Sequence, residues 1–196
     1  MLLGMYVVEP DEPSNELSGI IFTRVHSRGN AGRGLQWTLT ALSAQTPSPI
    51  DVTMQDCTVD GGGMVGVSIS GTTKGLPAGG HLTLIGLQTR NTGGAGVLVE
   101  NKPAGLQVNV VNSTIFNVSV AAPAPVWIEG RNVICSGVNF SNVTVADFAH
   151  RPALLMVPQV QDVTGELRVI NPTGCVPSKV TGASNSLKVE CEERAD

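Results

Sequence analysis

The stretch that decides the fold runs from residue 82 to residue 142, where one short pattern recurs three times. The copies read Leu82-Thr83-Leu84-Ile85-Gly86-Leu87-Gln88-Thr89-Arg90-Asn91, Val108-Asn109-Val110-Val111-Asn112-Ser113-Thr114-Ile115-Phe116-Asn117 and Val133-Ile134-Cys135-Ser136-Gly137-Val138-Asn139-Phe140-Ser141-Asn142. Val108 follows Leu82 by 26 residues, and Val133 follows Val108 by 25. A repeat of this length, made of short apolar segments, predicts a chain that coils once per repeat.

Two earlier copies and one weaker later copy extend the pattern, starting at Ile20, Val52 and near Asp162. Apolar and polar residues alternate with a two-residue break, which predicts two strands joined at a bend. Four inward columns follow: Ile20, Val52, Leu82, Val108 and Val133; Phe22, Met54, Leu84, Val110 and Cys135; Val25, Cys57, Leu87, Ser113 and Val138; Val59, Thr89, Ile115, Phe140 and Val169. The last copy places Asp162 and Thr164 at core positions, which predicts that the coil ends there.

The predicted fold is an all-β parallel β-helix of about five to six turns over residues 20–171. Stacking of the turns supplies the core, because a single repeat cannot bury its own apolar face. Residues 1–19 are expected to hold a strand of an earlier turn and an acidic, proline-rich connector, with further turns of the same protein upstream. Residues 172–196 are expected to form an irregular tail.

An asparagine column accompanies the repeats, at Asn91, Asn117, Asn142 and Asn171, with Gly61 in the second copy. Asparagine tolerates the left-handed conformation of a tight turn, and its amide can bond to the copies above and below. The pattern resembles the right-handed parallel β-helix of the pectin lyase-like superfamily, which builds an asparagine ladder in such a turn. The resemblance covers roughly residues 20–171 and implies a right-handed coil.

Composition and spacing argue against several classes of function. The net charge of -4 supplies no basic stripe for nucleic acid. No apolar run reaches the roughly 20 residues that a membrane span needs. No HxH, HExxH or CxxC spacing and no Asp-rich patch occurs, so neither a metal nor a cofactor is expected.

The resemblance also implies polysaccharide chemistry, but the catalytic signatures of polygalacturonase-type members do not occur in this sequence. Two functions stay open. One is a rigid scaffold or carbohydrate-contacting surface without a catalytic set. The other is a fragment of a polysaccharide lyase or glycoside hydrolase, so the chain is not assigned as an enzyme.

The most charged positions are Arg24, Arg28, Asp56, Asp60 and Arg90, which the alignment places on adjacent turns. One interpretation is a site for an anionic sugar, in which arginines bind carboxylates and an aspartate acts as a base. The other, which we favour, is an exposed ladder of alternating charge that ties neighbouring strands together.

Trp127 aligns with Gln36, Ser68 and Leu98 on an outward column, whereas Trp37 aligns with core residues. An outward indole is a surface on which a sugar ring can stack. Trp127 is therefore a further candidate for contact with a polysaccharide.

The four cysteines divide into two pairs of different character. Cys57 and Cys135 fall on inward columns several turns apart, too far for a disulfide, and are expected to be buried thiols. Cys175 and Cys191 flank a loop after the last copy and are expected to form a disulfide, which implies an oxidising compartment.

Four N-glycosylation sequons begin at Asn112, Asn117, Asn139 and Asn142. Because Asn117 and Asn142 are assigned to the ladder, only Asn112 and Asn139 are expected to be accessible. Together with the cysteines, these sequons favour a secreted or cell-surface protein.

Overall fold

The computed structural model describes residues 5–8, 19–39, 50–71, 79–102, 105–119, 123–130, 135–148, 152–156, 159–170 and 185–192. They form sixteen β-strands and no helix: β1 (Met5–Val8), β2 (Ile20–Thr23), β3 (His26–Arg28), β4 (Leu35–Leu39), β5 (Ile50–Gln55), β6 (Thr58–Asp60), β7 (Val67–Gly71), β8 (Gly80–Ile85), β9 (Gln88–Thr92), β10 (Val97–Glu100), β11 (Leu106–Val118), β12 (Val126–Glu129), β13 (Cys135–Phe148), β14 (Leu154–Met156), β15 (Val160–Ile170) and β16 (Ser186–Glu192).

The strands stack in two parallel sheets, which confirms the all-β solenoid predicted from the repeats. The first sheet has six strands in the order β1-β4-β7-β10-β12-β14. The second sheet has ten strands, seven of which lie side by side in the order β16-β15-β13-β11-β8-β5-β2. The short strands β3, β6 and β9 extend this sheet beside β11. Each coil therefore contributes strands to both sheets.

The core lies between the sheets and is built from the predicted columns. Val52, Leu82 and Val108 pair in register and are at most 2% exposed. Burying each such side chain contributes about 1.5–3 kcal/mol, and no single coil could bury them alone. The N-terminal members, Ile20 and Phe22, are only partly buried.

From β11 to β13 the register differs from the predicted one by five residues. Val108 pairs with Val138, whereas the repeats predicted Val133, which lies outside the described residues. Phe140 likewise replaces Cys135 beside Val110. In the third and fourth columns, Val143 and Val145 pair with Ser113 and Ile115, where Val138 and Phe140 were predicted. This register holds from Val108 to Val118 along β11 and from Val138 to Phe148 along β13.

The core also continues past the predicted end of the coil. Asp162 is exposed and Thr164 half-buried, while Val160, Val163, Leu167 and Val169 are buried, so the prediction of two polar core positions is wrong. Strand β16 then adds a further parallel strand to β15. Part of the predicted tail therefore continues the second sheet.

Within each coil the chain turns at two columns of residues whose backbone has the left-handed conformation, with positive φ. The first column holds Arg24 (φ 56°), Asp56 (φ 54°), Gly86 (φ 65°), Asn112 (φ 48°) and Asn142 (φ 52°). The second, five residues further along, holds Gly29 (φ 64°), Gly61 (φ 78°), Asn91 (φ 55°) and Asn117 (φ 49°). Asn and Gly suit both columns because they adopt this conformation at low cost.

The asparagine ladder is thus split between the two columns. Asn117 Nδ2 donates to Asn91 Oδ1 at 2.7 Å, as predicted. Asn142 was predicted to stack on Asn117, but its Nδ2 donates to Asn112 Oδ1 at 2.9 Å in the first column. Asn171 lies outside the described residues.

Candidate functional site

The outward side of the second sheet carries a row of side chains that we name the outer strip. Pairing of β3, β6, β9, β11, β13 and β15 places one residue from each strand in this row. Its members are Arg28, Asp60, Arg90, Phe116, Ala146 and Ile170. Their neighbours Val59, Ile115 and Val145 are buried at 0% exposure, so strand alternation turns the strip towards solvent.

Of the five charged candidates, the structure brings three together in this strip. Arg90 donates from a terminal guanidinium nitrogen to Asp60 Oδ2 at 2.9 Å. Arg28 lies on the other side of Asp60, in register with it on β3. Arg24 and Asp56 do not belong to the strip, because they occupy the first turn column four residues before Arg28 and Asp60.

Asp60 is held by two groups of the next coil. Its Oδ1 accepts from Asn91 Nδ2 at 2.7 Å, and its Oδ2 accepts from Arg90. Hydrogen bonds from Asn91 and Arg90, aided by the positive charge of Arg28, lower the pKa of the Asp60 carboxyl below its ordinary value. A carboxylate of lowered pKa is a weak base, so these contacts favour an ion-pair role over proton abstraction.

Beside this ion pair lies a shallow groove of about 290 Å³. It is lined by Gln88, Thr89, Arg90, Thr114 and Phe116. The Phe116 ring is 40% exposed, although large apolar side chains of this fold are otherwise mostly buried. The Arg90 side chain is 51% exposed, which leaves guanidinium N–H groups available beyond its bond to Asp60.

Phe116 was not among the predicted site residues, although the sequence contains a signal for it. Ile115 was assigned to an inward column, and in a strand the next residue points to the opposite face. The alternation therefore predicts an outward position for Phe116, and the repeat offset of 26 residues aligns it with Arg90.

Trp127 is less exposed than the prediction of a sugar-stacking surface requires. It pairs with Leu98 and Leu155 in the first sheet, on the predicted column. In that column Ser68 is 0% and Leu98 5% exposed, and Trp127 itself is half-buried. Its indole nitrogen is buried and has no hydrogen-bond partner among the described residues. Phe116 is thus the better-presented aromatic surface.

The sequon asparagines differ in which amide atom is engaged. Asn117 and Asn142 donate through Nδ2, the atom that a glycan would modify. Asn112 and Asn139 accept through Oδ1, from Asn142 and from Thr164 Oγ1 respectively. Asn112 is exposed and Asn139 is half-buried. This pattern is compatible with glycosylation at Asn112 and Asn139, which stays a prediction.

Cys57 and Cys135 are buried free thiols, with exposures of 1% and 0%. Burial raises the pKa of both thiols. Cys191 is disulfide-bonded, and Cys175, its predicted partner, lies outside the described residues.

A buried cation lies in the interior close to one of these thiols. Lys102 is 0% exposed, and its Nζ donates to the Leu106 carbonyl at 2.5 Å. Burial lowers the pKa of Lys102, and the nearby Cys135 partly opposes this effect. Because its ammonium group caps a backbone carbonyl inside the coil, we interpret Lys102 as structural.

Within the described residues, no group of three or more His, Cys, Asp or Glu side chains is arranged to hold a metal ion. The same part of the chain contains no helix long and apolar enough to cross a membrane. Comparisons with models of protein families, with curated proteins and with solved structures find no match for this chain.

Proposed function

We propose that this chain is an extracellular or cell-surface β-helix segment that binds carbohydrate on its outer strip without a catalytic set. The observation that carries the proposal is the exposed Phe116 ring next to the Arg90 guanidinium, in a groove of about 290 Å³. Adjacent aromatic and cationic groups on a rigid sheet suit a ligand with apolar ring faces and polar edges.

Four residues of the groove would make different contacts with the carbohydrate. The C–H face of a pyranose ring packs on Phe116, since aromatic rings offer a flat apolar surface. Arg90 donates to ring hydroxyl or carboxylate oxygens, and the Thr114 hydroxyl and Gln88 amide can bond to further hydroxyls. Strand pairing holds β9 and β11 in register, so the ligand would meet a preformed surface.

The proposal extends to family and location. We propose that the coil is right-handed and that the chain is a member of the pectin lyase-like superfamily; the parallel coils and the asparagine turn columns support this proposal. The disulfide at Cys191 supports an oxidising compartment, and the sequons at Asn112 and Asn139 are consistent with secretion.

Binding is tested by calorimetry against a panel of neutral and acidic oligosaccharides. Phe116→Ala is expected to weaken binding about 2- to 10-fold, the range of one aromatic contact. Ile21→Ala is the matched control, because Ile21 is an apolar side chain that is 64% exposed on β2. Equal affinities for both variants and the parent chain would contradict the proposal.

The same panel tests for catalysis, which the proposal excludes. The parent chain is incubated with each polysaccharide, and unsaturated and reducing-end products are measured. We expect no turnover. Measurable turnover that Asp60→Ala abolishes would instead identify the chain as part of a lyase or hydrolase.

A further inference from the structure

The two ends of the outer strip differ in charge. At the N-terminal end Arg28 and Arg90 flank Asp60, so two cations face one anion. Around the C-terminal end, β15 and β16 contribute two cations, Arg168 and Lys188, and three anions, Glu166, Glu190 and Glu192. Between these ends Phe116, Ala146 and Ile170 form an apolar middle.

At the N-terminal end one positive charge stays uncompensated. Arg90 uses one terminal nitrogen for Asp60, and its side chain is 51% exposed. Arg28 is also exposed and acts on Asp60 through its charge, with no direct ion pair among the described residues. The strands of the two arginines lie two spacings apart, about 10 Å. An anionic group can therefore contact both guanidinium groups from the solvent side.

At the C-terminal end both cations are already paired with glutamates. Arg168 donates through Nε to Glu192 Oε1 at 2.7 Å and through a terminal nitrogen to Glu192 Oε2 at 2.6 Å. Lys188 pairs with Glu190 on the same strand. These contacts lower the pKa of Glu190 and Glu192, so both stay ionised at neutral pH. Glu166, exposed and in register with Lys188, adds a third carboxylate, so a ligand carboxylate arriving here would meet repulsion.

We propose that the outer strip takes an oligosaccharide that carries one acidic group at one end and neutral sugars along the rest. The acidic group lies at Arg28 and Arg90, and the neutral rings cross Phe116, Ala146 and Ile170 towards the glutamates. From β9 to β15 this path spans three strand spacings, about 14 Å. Thr114 and Thr144, on the neighbouring outward column, line the path with hydroxyl groups. This inference rests on the proposed carbohydrate function and names its ligand class.

The test compares three tetrasaccharides of equal length in calorimetry: one neutral, one with a single terminal uronate, and one with four uronates. The singly acidic ligand is expected to bind about 10-fold more tightly than the other two, the effect of one added charge-assisted contact. Arg28→Ala should reduce its affinity to that of the neutral ligand. The double variant Glu190→Gln with Glu192→Gln should raise the affinity of the fully acidic ligand.

Asp51→Asn, which removes an exposed charge on β5, is the control for net charge and should change none of these affinities. Tightest binding of the fully acidic ligand by the parent chain would overturn this inference and leave the carbohydrate proposal intact. Equal binding of the neutral and singly acidic ligands would also overturn it. Failure of all three ligands to bind would refute the carbohydrate proposal itself.

Discussion

Replacement of Asn117 separates the two contributions that the ladder makes to stability. Asn117 has a φ of 49° and donates to Asn91 Oδ1 at 2.7 Å. The bond is exposed, so its loss costs about 0.5 kcal/mol, the lower end for a protein hydrogen bond. Alanine adds about 1 kcal/mol because its Cβ disfavours the left-handed conformation, whereas glycine does not. We expect losses of about 1.5 kcal/mol for Asn117→Ala and about 0.5 kcal/mol for Asn117→Gly.

The assay is urea denaturation followed by circular dichroism, with Tm measured in parallel. For a chain of this size Asn117→Ala should lower Tm by about 3–6 °C, and Asn117→Gly by about 1–2 °C. Asn109→Ala is the control, because Asn109 lies on the same strand without a left-handed φ and should stay within about 0.5 kcal/mol. If the glycine variant loses as much as the alanine variant, left-handed strain does not contribute. If the control loses as much, the ladder has no special role.

Three further predictions concern charge, packing and thiols. The pKa of Asp60 in the folded state lies below its ordinary 3.8. The ion pair of Asp60 therefore stabilises the fold fully above pH 3.8, and this stabilisation is lost as the pH falls through the lowered pKa. Asp60→Asn should therefore be less stable than the parent at pH 7, with a difference that disappears in acid urea titrations. Gly96→Ala should cost about 1–3 kcal/mol, because the new Cβ would lie 2.3 Å from Ile115 Cγ2. Gly79→Ala, with no atom within 4 Å, should be neutral in the same denaturation assay. Thiol labelling without reductant should find no reactive thiol in the native state and two after denaturation, and four would contradict the disulfide.

Much of the architecture was predictable because the buried apolar residues recur at a regular spacing in the sequence. From Ile20 to Val108 the inward columns, and the pairing of Trp127 with Leu98, match the observed registers. Less of the site was predictable. Arg28, Asp60 and Arg90 could be aligned, but the hydrogen bond from Asn91 to Asp60 depends on side-chain geometry that a pattern does not contain. Lys102 gave no signal, since burial of a lysine depends on the carbonyl that it caps.

The five-residue error between β11 and β13 has a physical origin in the coil itself. Its two left-handed columns lie five residues apart, as Asn112 and Asn117 show. The inward residues also repeat after five, because Val108 and Val110 are followed by Ser113 and Ile115. A shift of five therefore exchanges one turn for the other and leaves these two inward positions inward. Apolar periodicity cannot distinguish the two registers in such a coil, and the contacts between neighbouring strands must do so. The bond from Asn142 to Asn112 is one of these contacts.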